Sequence, residues 1–136
     1  MRYRIVRPGC ILKQMREGDA GYDLCAGEDM EIEPQSAAVV PLGIAVAIPE
    51  GQYGLLIHRS SLAFKRNAVI STGIIDSSFK QEMKAKVFNM SYGNTLYIRK
   101  GERIAQLIFH HFVSPELEVV DDMEDGKGGF GSSGVS

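Results

Sequence analysis

The sequence predicts an all-β domain: a sandwich, jelly roll or barrel. Two observations predict it. Short apolar runs recur about every eight to twelve residues, with Gly, Pro, Asn or Asp between them. Runs of helical period stop at about two turns. The bulk numbers fit one domain. The chain has 136 residues, 44% hydrophobic and 24% charged, enough to bury a core. A net charge of −2 leaves no electrostatic footprint for DNA or RNA, so a nucleotide ligand should be small and locally gripped. Cys10 and Cys25 have no metal spacing and read as reduced, buried thiols. MRYRIVRPGC has no apolar core of signal-peptide length, and no run reaches spanning length. A soluble protein in the cytoplasm, or otherwise intracellular, is expected.

Taken in order, Arg2–Val6 alternates Tyr3 and Ile5 against arginines, and Pro8-Gly9 ends this first strand. Ile11–Gly18 has mixed periodicity and reads as loop. In Ala20-Gly21-Tyr22-Asp23-Leu24 the small residues would let backbone pass close to another strand before Tyr22–Cys25 extends. Met30 and Ile32 alternate with Glu31 and Glu33 until Pro34. Ala37–Val40 and Gly43–Ile48 are strands around Pro41, and Tyr53–His58 is the next. The piece Arg59–Lys65 suits one helical turn, with Ser60 or Ser61 as N-cap.

Thr72–Phe79 is the stretch around which the rest is organised. Ile74 and Ile75 are strand formers, and Asp76, Ser77 and Ser78 are turn formers. From Glu82, Met83, Ala85 and Val87 take one face and Lys84, Lys86 and Phe88 the other. The expectation is a β-hairpin with a carboxylate near its tip. Thr95–Ile98 and Arg103–Phe112 are further strands, and Leu117–Val120 reads as a short edge strand. From Asp121 the composition turns acidic and then glycine-rich. The domain is expected over residues 1–120, with 121–136 a flexible tail too poor in apolar surface to order itself alone.

Several residues invite a chemical reading beside a structural one. Arg59-Ser60-Ser61 puts a guanidinium and two hydroxyls where a short helix begins, a pattern that suits phosphate oxygens; alone, it reads as a capped turn with a solvated arginine. Gln106, within an apolar strand, needs hydrogen-bond partners: it pins a neighbouring strand or faces a polar site. Asp76 opening a turn is more often an Asx-turn than a base, and Asp23 more often ties a turn. GKGGFGSSG is a flexible terminus by composition; as a lid, it would stack Phe130 on a planar ligand. Lys127 does not make it a P-loop, because no helix follows.

Together and in this order, these pieces resemble the five motifs of the trimeric dUTPase family. Ala20–Leu24 is similar to the first, Arg59–Ala63 to the second, Gly73–Asp76 to the third, Arg103–Leu107 to the fourth and Gly128–Gly134 to the fifth. The resemblance covers nearly the whole chain. It implies a distorted jelly-roll homotrimer with sites between subunits, hydrolysing dUTP to dUMP and diphosphate with Mg²⁺, limiting uracil entry into DNA and supplying dUMP for dTTP synthesis. Asp76 would be the base for water attack on the α-phosphorus. The backbone of Gly73, Ile74 and Ile75 would read the uracil edge. Arg59, Ser60, Ser61, Lys84 and Gln106 would hold phosphates, Phe79 would pack under the sugar, and Phe130, Gly131 and Ser132 would close over the ligand. Mg²⁺ would ride mainly on the triphosphate, with Asp23 and Gln106 near its water shell. The chain departs from the family pattern at Phe79 (usually Tyr), Gln81 (usually Gly) and Asp125 (usually Arg). Two alternatives follow. Asp125 motivates a non-catalytic or weakly active dUTP-binding regulatory trimer. The related dCTP deaminases place a Glu where this chain has Lys86, which sets that reading lower.

Overall fold

Alternation of apolar and polar residues produces eleven strands and one short helix among residues 1–126, the part that this computed structural model describes. The strands are β1 (Arg2–Ile5), β2 (Tyr22–Cys25), β3 (Met30–Ile32), β4 (Ala37–Pro41), β5 (Ile44–Ala47), β6 (Gln52–His58), β7 (Ala68–Ile70), β8 (Gly73–Ile75), β9 (Lys84–Asn89), β10 (Leu96–Ile98) and β11 (Arg103–His111). Helix α1 (Ser60–Arg66) follows β6, and a 3₁₀ turn spans Met123–Gly126. Four antiparallel sheets result: β1-β5, β10-β3, β4-β9-β7, and the four-stranded β2-β11-β6-β8 that carries the site. Their inner faces share one core, with Leu24, Val40, Ile44, Leu56, Leu62, Val87, Ile98, Ile104 and Leu107 all buried. Among the described residues no helix is long and apolar enough to cross a membrane.

The all-β expectation holds, with five local differences. The hairpin expected around Asp76 does not form: β8 pairs with β6, whereas β9 pairs with β4 and β7. The reason lies at the far end of the loop. Met83 is buried, its N–H donates to the Ile44 carbonyl (2.9 Å), and its own carbonyl accepts from Leu42 (3.0 Å). These bonds draw the chain across to another sheet. Strand β7 was not expected, because Ala68–Ile70 is a three-residue apolar run without alternation. Neither Ser60 nor Ser61 caps α1; Arg59 is the N-cap residue, extended at φ −77° and ψ 148°, with no side-chain cap bond. Leu117–Val120 is not a strand, and Leu117 and Val119 are 90% and 97% exposed. Asp23 ties no turn but sits buried within β2.

Two ties fix the loop that runs from Asp76 to Glu82. At its start the Phe79 N–H donates to the Asp76 carbonyl (3.0 Å), and Lys80 Nζ donates to the Ser77 carbonyl. At its end Glu82 Oε2 accepts from Arg7 Nε (2.6 Å) and from the Gly43 N–H (2.9 Å). Gly43 has φ +74°, and a Cβ there would lie 2.9 Å from Cys10 Cβ, so both backbone and space call for glycine.

Candidate active site

The centre of the site is the pairing of β2 with β11. Gln106 lies opposite Asp23, and residues directly opposite each other present side chains to the same face. That closeness needs a residue without a side chain nearby. A Cβ on Gly21 would lie 3.1 Å from Gln106 Cδ and 3.3 Å from its Cβ, with Oε1 closer still. The close backbone approach expected from Ala20-Gly21 is therefore real, and its partner is the Gln106 side chain. Gln106 serves both readings left open for it. Its Nε2 donates to the His58 carbonyl (3.3 Å), tying β11 to β6, and its side chain lines a cavity.

Where β6 ends beside β11, the Arg59 N–H donates to the Ile104 carbonyl (3.2 Å). The guanidinium turns toward β2, where its Nε lies 3.3 Å from Asp23 Oδ1. Asp23 is buried, and its Oδ2 has no hydrogen-bond partner among the described residues. A buried carboxylate oxygen without a partner costs stability unless something in the working state meets it. The cavity here is about 410 Å³, lined by Met15, Arg16, Asp19, Ala20, Gly21, Asp23, Arg59, Ser60 and Gln106. Two guanidiniums, a hydroxyl, an amide and two carboxylates converge there, donors for anionic oxygens beside acceptors for a hydrated cation.

Of the residues expected from the sequence, the cavity brings together Asp23, Arg59, Ser60 and Gln106. Ser61, in the first turn of α1, is not part of its lining. Lys84 lies exposed on β9, in a different sheet. Gly73, Ile74, Ile75, Asp76 and Phe79 also stand elsewhere. Ile75 faces Gly54 in the β6–β8 ladder, which puts Asp76 level with Tyr53, at the opposite end of β6 from Arg59. At about 3.3 Å per residue that separation is roughly 20 Å. Asp76 is exposed, with Ile74 and Phe79, 57% and 38% exposed, beside it. Phe130, Gly131 and Ser132 lie outside the described residues.

Sequence reasoning missed Arg16 and Asp19. The available signal was the turn Arg16-Glu17-Gly18-Asp19 directly ahead of Ala20-Gly21. Its placement depends on a contact that periodicity does not report: the Asp23 N–H donates to the Lys13 carbonyl (2.7 Å), which lays the loop against β2.

Comparison with known proteins gives matches over most of the chain. The family model described as dUTPase matches residues 7–134. The deoxyuridine 5'-triphosphate nucleotidohydrolase of Paramecium bursaria Chlorella virus 1 is 41% identical over 122 residues, covering 88% of this chain and 86% of that protein. The enzyme of the same name from Rhodococcus erythropolis is 42% identical over 129 residues, 91% of this chain and 79% of that protein. Among solved structures, a mutant dUTPase from phage phi11 of S. aureus, described for its coordination of a structural Mg(II) ion, superposes with a TM-score of 0.85. It is 29% identical and covers 90% of this chain and 97% of its own. A mutant dUTPase of Staphylococcus bacteriophage 80alpha with dUpNHpp gives a TM-score of 0.82 at 28% identity, over 89% of this chain and 96% of that one. The arrangement of strands is that of the jelly roll these structures share.

Proposed function

The chain belongs to the dUTPase family, and on that premise we propose that it hydrolyses dUTP to dUMP and diphosphate in sites shared between the subunits of a homotrimer. The observation that carries the shared-site reading is the distance of roughly 20 Å, at about 3.3 Å per residue, between Asp76 and the Arg59 cavity. A carboxylate that far from the phosphate-binding groups cannot serve them within one chain. A neighbouring copy can bring its own Asp76 to the cavity, and with it Lys84.

Each part then has a task. Polyphosphate hydrolysis asks for positioning and charge neutralisation more than for covalent chemistry. Arg59, Ser60 and Gln106, which line the cavity, hold phosphate oxygens, and Ser61 beside them in the first turn of α1 offers a further hydroxyl. Asp76 of the neighbouring copy orients a water and accepts its proton as the oxygen attacks the α-phosphorus in line; diphosphate leaves. Among the described residues β8 pairs only with β6, so the other edge of Gly73–Ile75 offers free backbone donors and acceptors. These suit the uracil edge. Cytosine reverses that donor and acceptor pattern and leaves polar groups unpaired on both sides. The Phe79 ring packs under the sugar, and Phe130, Gly131 and Ser132 close over the base.

The residues present fit Mg²⁺. The unpartnered Oδ2 of buried Asp23 is a hard oxygen beside a cavity that takes phosphates, and Gln106 stands opposite. Among the described residues no group of three His, Cys, Asp or Glu could hold the ion alone. Asp23 and Gln106 would act on its water shell, and Mg²⁺ would supply charge neutralisation on the triphosphate.

Steady-state assay of dUTP and dCTP tests the reading. Diphosphate and dUMP should appear from dUTP, with no ammonia from dCTP. Ammonia release would favour a deaminase, against which Lys86 argues: its Nζ stands 5.5 Å from the Phe88 ring centroid on β9. Binding of dUTP without turnover would favour a regulatory trimer.

A further inference from the structure

Arg16 lines the same cavity as Asp23, Arg59, Ser60 and Gln106, yet it lies in none of the stretches that resemble the family motifs. Its loop is held firmly. The Arg16 N–H donates to Asp19 Oδ2 (3.2 Å), the Asp19 N–H donates back to the Arg16 carbonyl (3.1 Å), and Gln14 Nε2 donates to the Asp19 carbonyl (2.7 Å). Gly18, at φ +93°, closes the turn, and the Lys13–Asp23 bridge fixes where the loop begins. The backbone is therefore fixed while the side chain is not. Among the described residues the Arg16 guanidinium forms no ion pair and no hydrogen bond.

Charge decides what it is free to do. The lining holds two guanidiniums and two carboxylates, so it is formally neutral. Arg59 is engaged with Asp23, and the Asp19 carboxylate is occupied by a backbone N–H. Arg16 is thus the guanidinium of this cavity with no ion-pair partner among the described residues, a second cation for an incoming anion beside Arg59. The segment leading to the tail supplies no other cation early: Asp121, Asp122, Glu124 and Asp125 precede Lys127. We propose that Arg16 binds the outer phosphates of the substrate triphosphate, an assignment that rests on the dUTP reading above. A planar guanidinium can engage two phosphate oxygens at once. It is exposed where Arg59 and Gln106, which line the same cavity, are half-buried, and that suits the end of the polyphosphate farthest from the base.

The test uses the full-length protein and its Arg16→Ala and Arg16→Lys variants, titrated calorimetrically with dUpNHpp and with dUMP, beside dUTP turnover. Arg16 is exposed, so neither variant should disturb folding. Arg16→Ala should weaken dUpNHpp binding about tenfold and change dUMP binding less than about twofold. Arg16→Lys should recover part of the loss, and the gap between parent and Ala variant should narrow as salt rises. Equal weakening of both ligands, or no weakening of dUpNHpp, in an active parent overturns the Arg16 assignment alone. A parent that neither turns over dUTP nor binds dUpNHpp overturns the dUTP reading and this assignment with it.

Discussion

Replacing Gly21 with alanine adds one methyl group beside the residue that joins the strands of the site. Built on the present backbone, the new Cβ would stand 3.1 Å from Gln106 Cδ and 3.3 Å from its Cβ, and nearer still to Oε1. The amide is the far end of a flexible side chain and can rotate away; the atoms nearer the backbone need give only a few tenths of an ångström. The fold should survive. Overpacking of this size costs about 1–3 kcal/mol, which includes the lost bond from Gln106 Nε2 to the His58 carbonyl. Turnover should suffer more if Gln106 holds phosphate oxygens as proposed, because displacing such a group can cost about a hundredfold. The assay is a double-mutant cycle read by thermal melting and by dUTP turnover. Once Gln106→Ala has removed the amide, Gly21→Ala should cost little more, since the atoms it strikes hardest are gone. Additive effects of the two changes would refute the reasoning, and so would Gly21→Ala at parental turnover.

Glu82 gives a pH dependence with a definite sign. Its hydrogen bond from Arg7, then that from the Gly43 N–H, holds its carboxyl below the usual carboxylate range, against desolvation. A depressed folded-state pKa contributes stability that is present above the unfolded value and is lost as pH falls through the folded one. Glu82→Gln should therefore melt lower than the parent at neutral pH and show a shallower decline toward acid; parallel melting curves from pH 7 to 3 would contradict this. Truncation after Met123 should leave the core intact, because among the described residues every buried hydrophobic one lies at or before Leu107, while turnover falls strongly. Light scattering beside turnover checks it, and undiminished activity would make the tail a mere extension.

The strands were legible where alternation was clean. Met83, Ala85 and Val87 are buried as their spacing implies, and Lys84 and Lys86 are exposed. Pairing was less legible, because it is decided by what each end finds in space. Ile74 and Ile75 look like half of a hairpin, yet their ladder is with β6 across the sheet. Leu117 and Val119 alternate like a strand but find no ladder among the described residues of their own chain. At the site, Asp23, Arg59, Ser60 and Gln106 could be named from motif order, and the structure does gather them. Arg16 was not legible, because it reaches the cavity only through the backbone bridge of Lys13 to Asp23.

The shared site is the central claim, and mixing two disabled proteins tests it most directly. One variant carries Asp76→Asn. The other carries Asp23→Asn and Arg59→Gln together, which neutralises both members of the ion pair rather than stranding the buried Asp23 charge. Each alone should be nearly inactive. Unfolded together in equal amounts and refolded, chains would assort at random in a closed ring, where a site is intact only if Asp76 comes from the second variant and Arg59 from the first. That combination occurs in about one quarter of sites, so recovery to roughly a quarter of parental turnover is expected. Mixtures no more active than the separate variants, when an affinity tag on one variant co-purifies the other and so shows that mixed trimers had formed, would mean that each site is built within one chain.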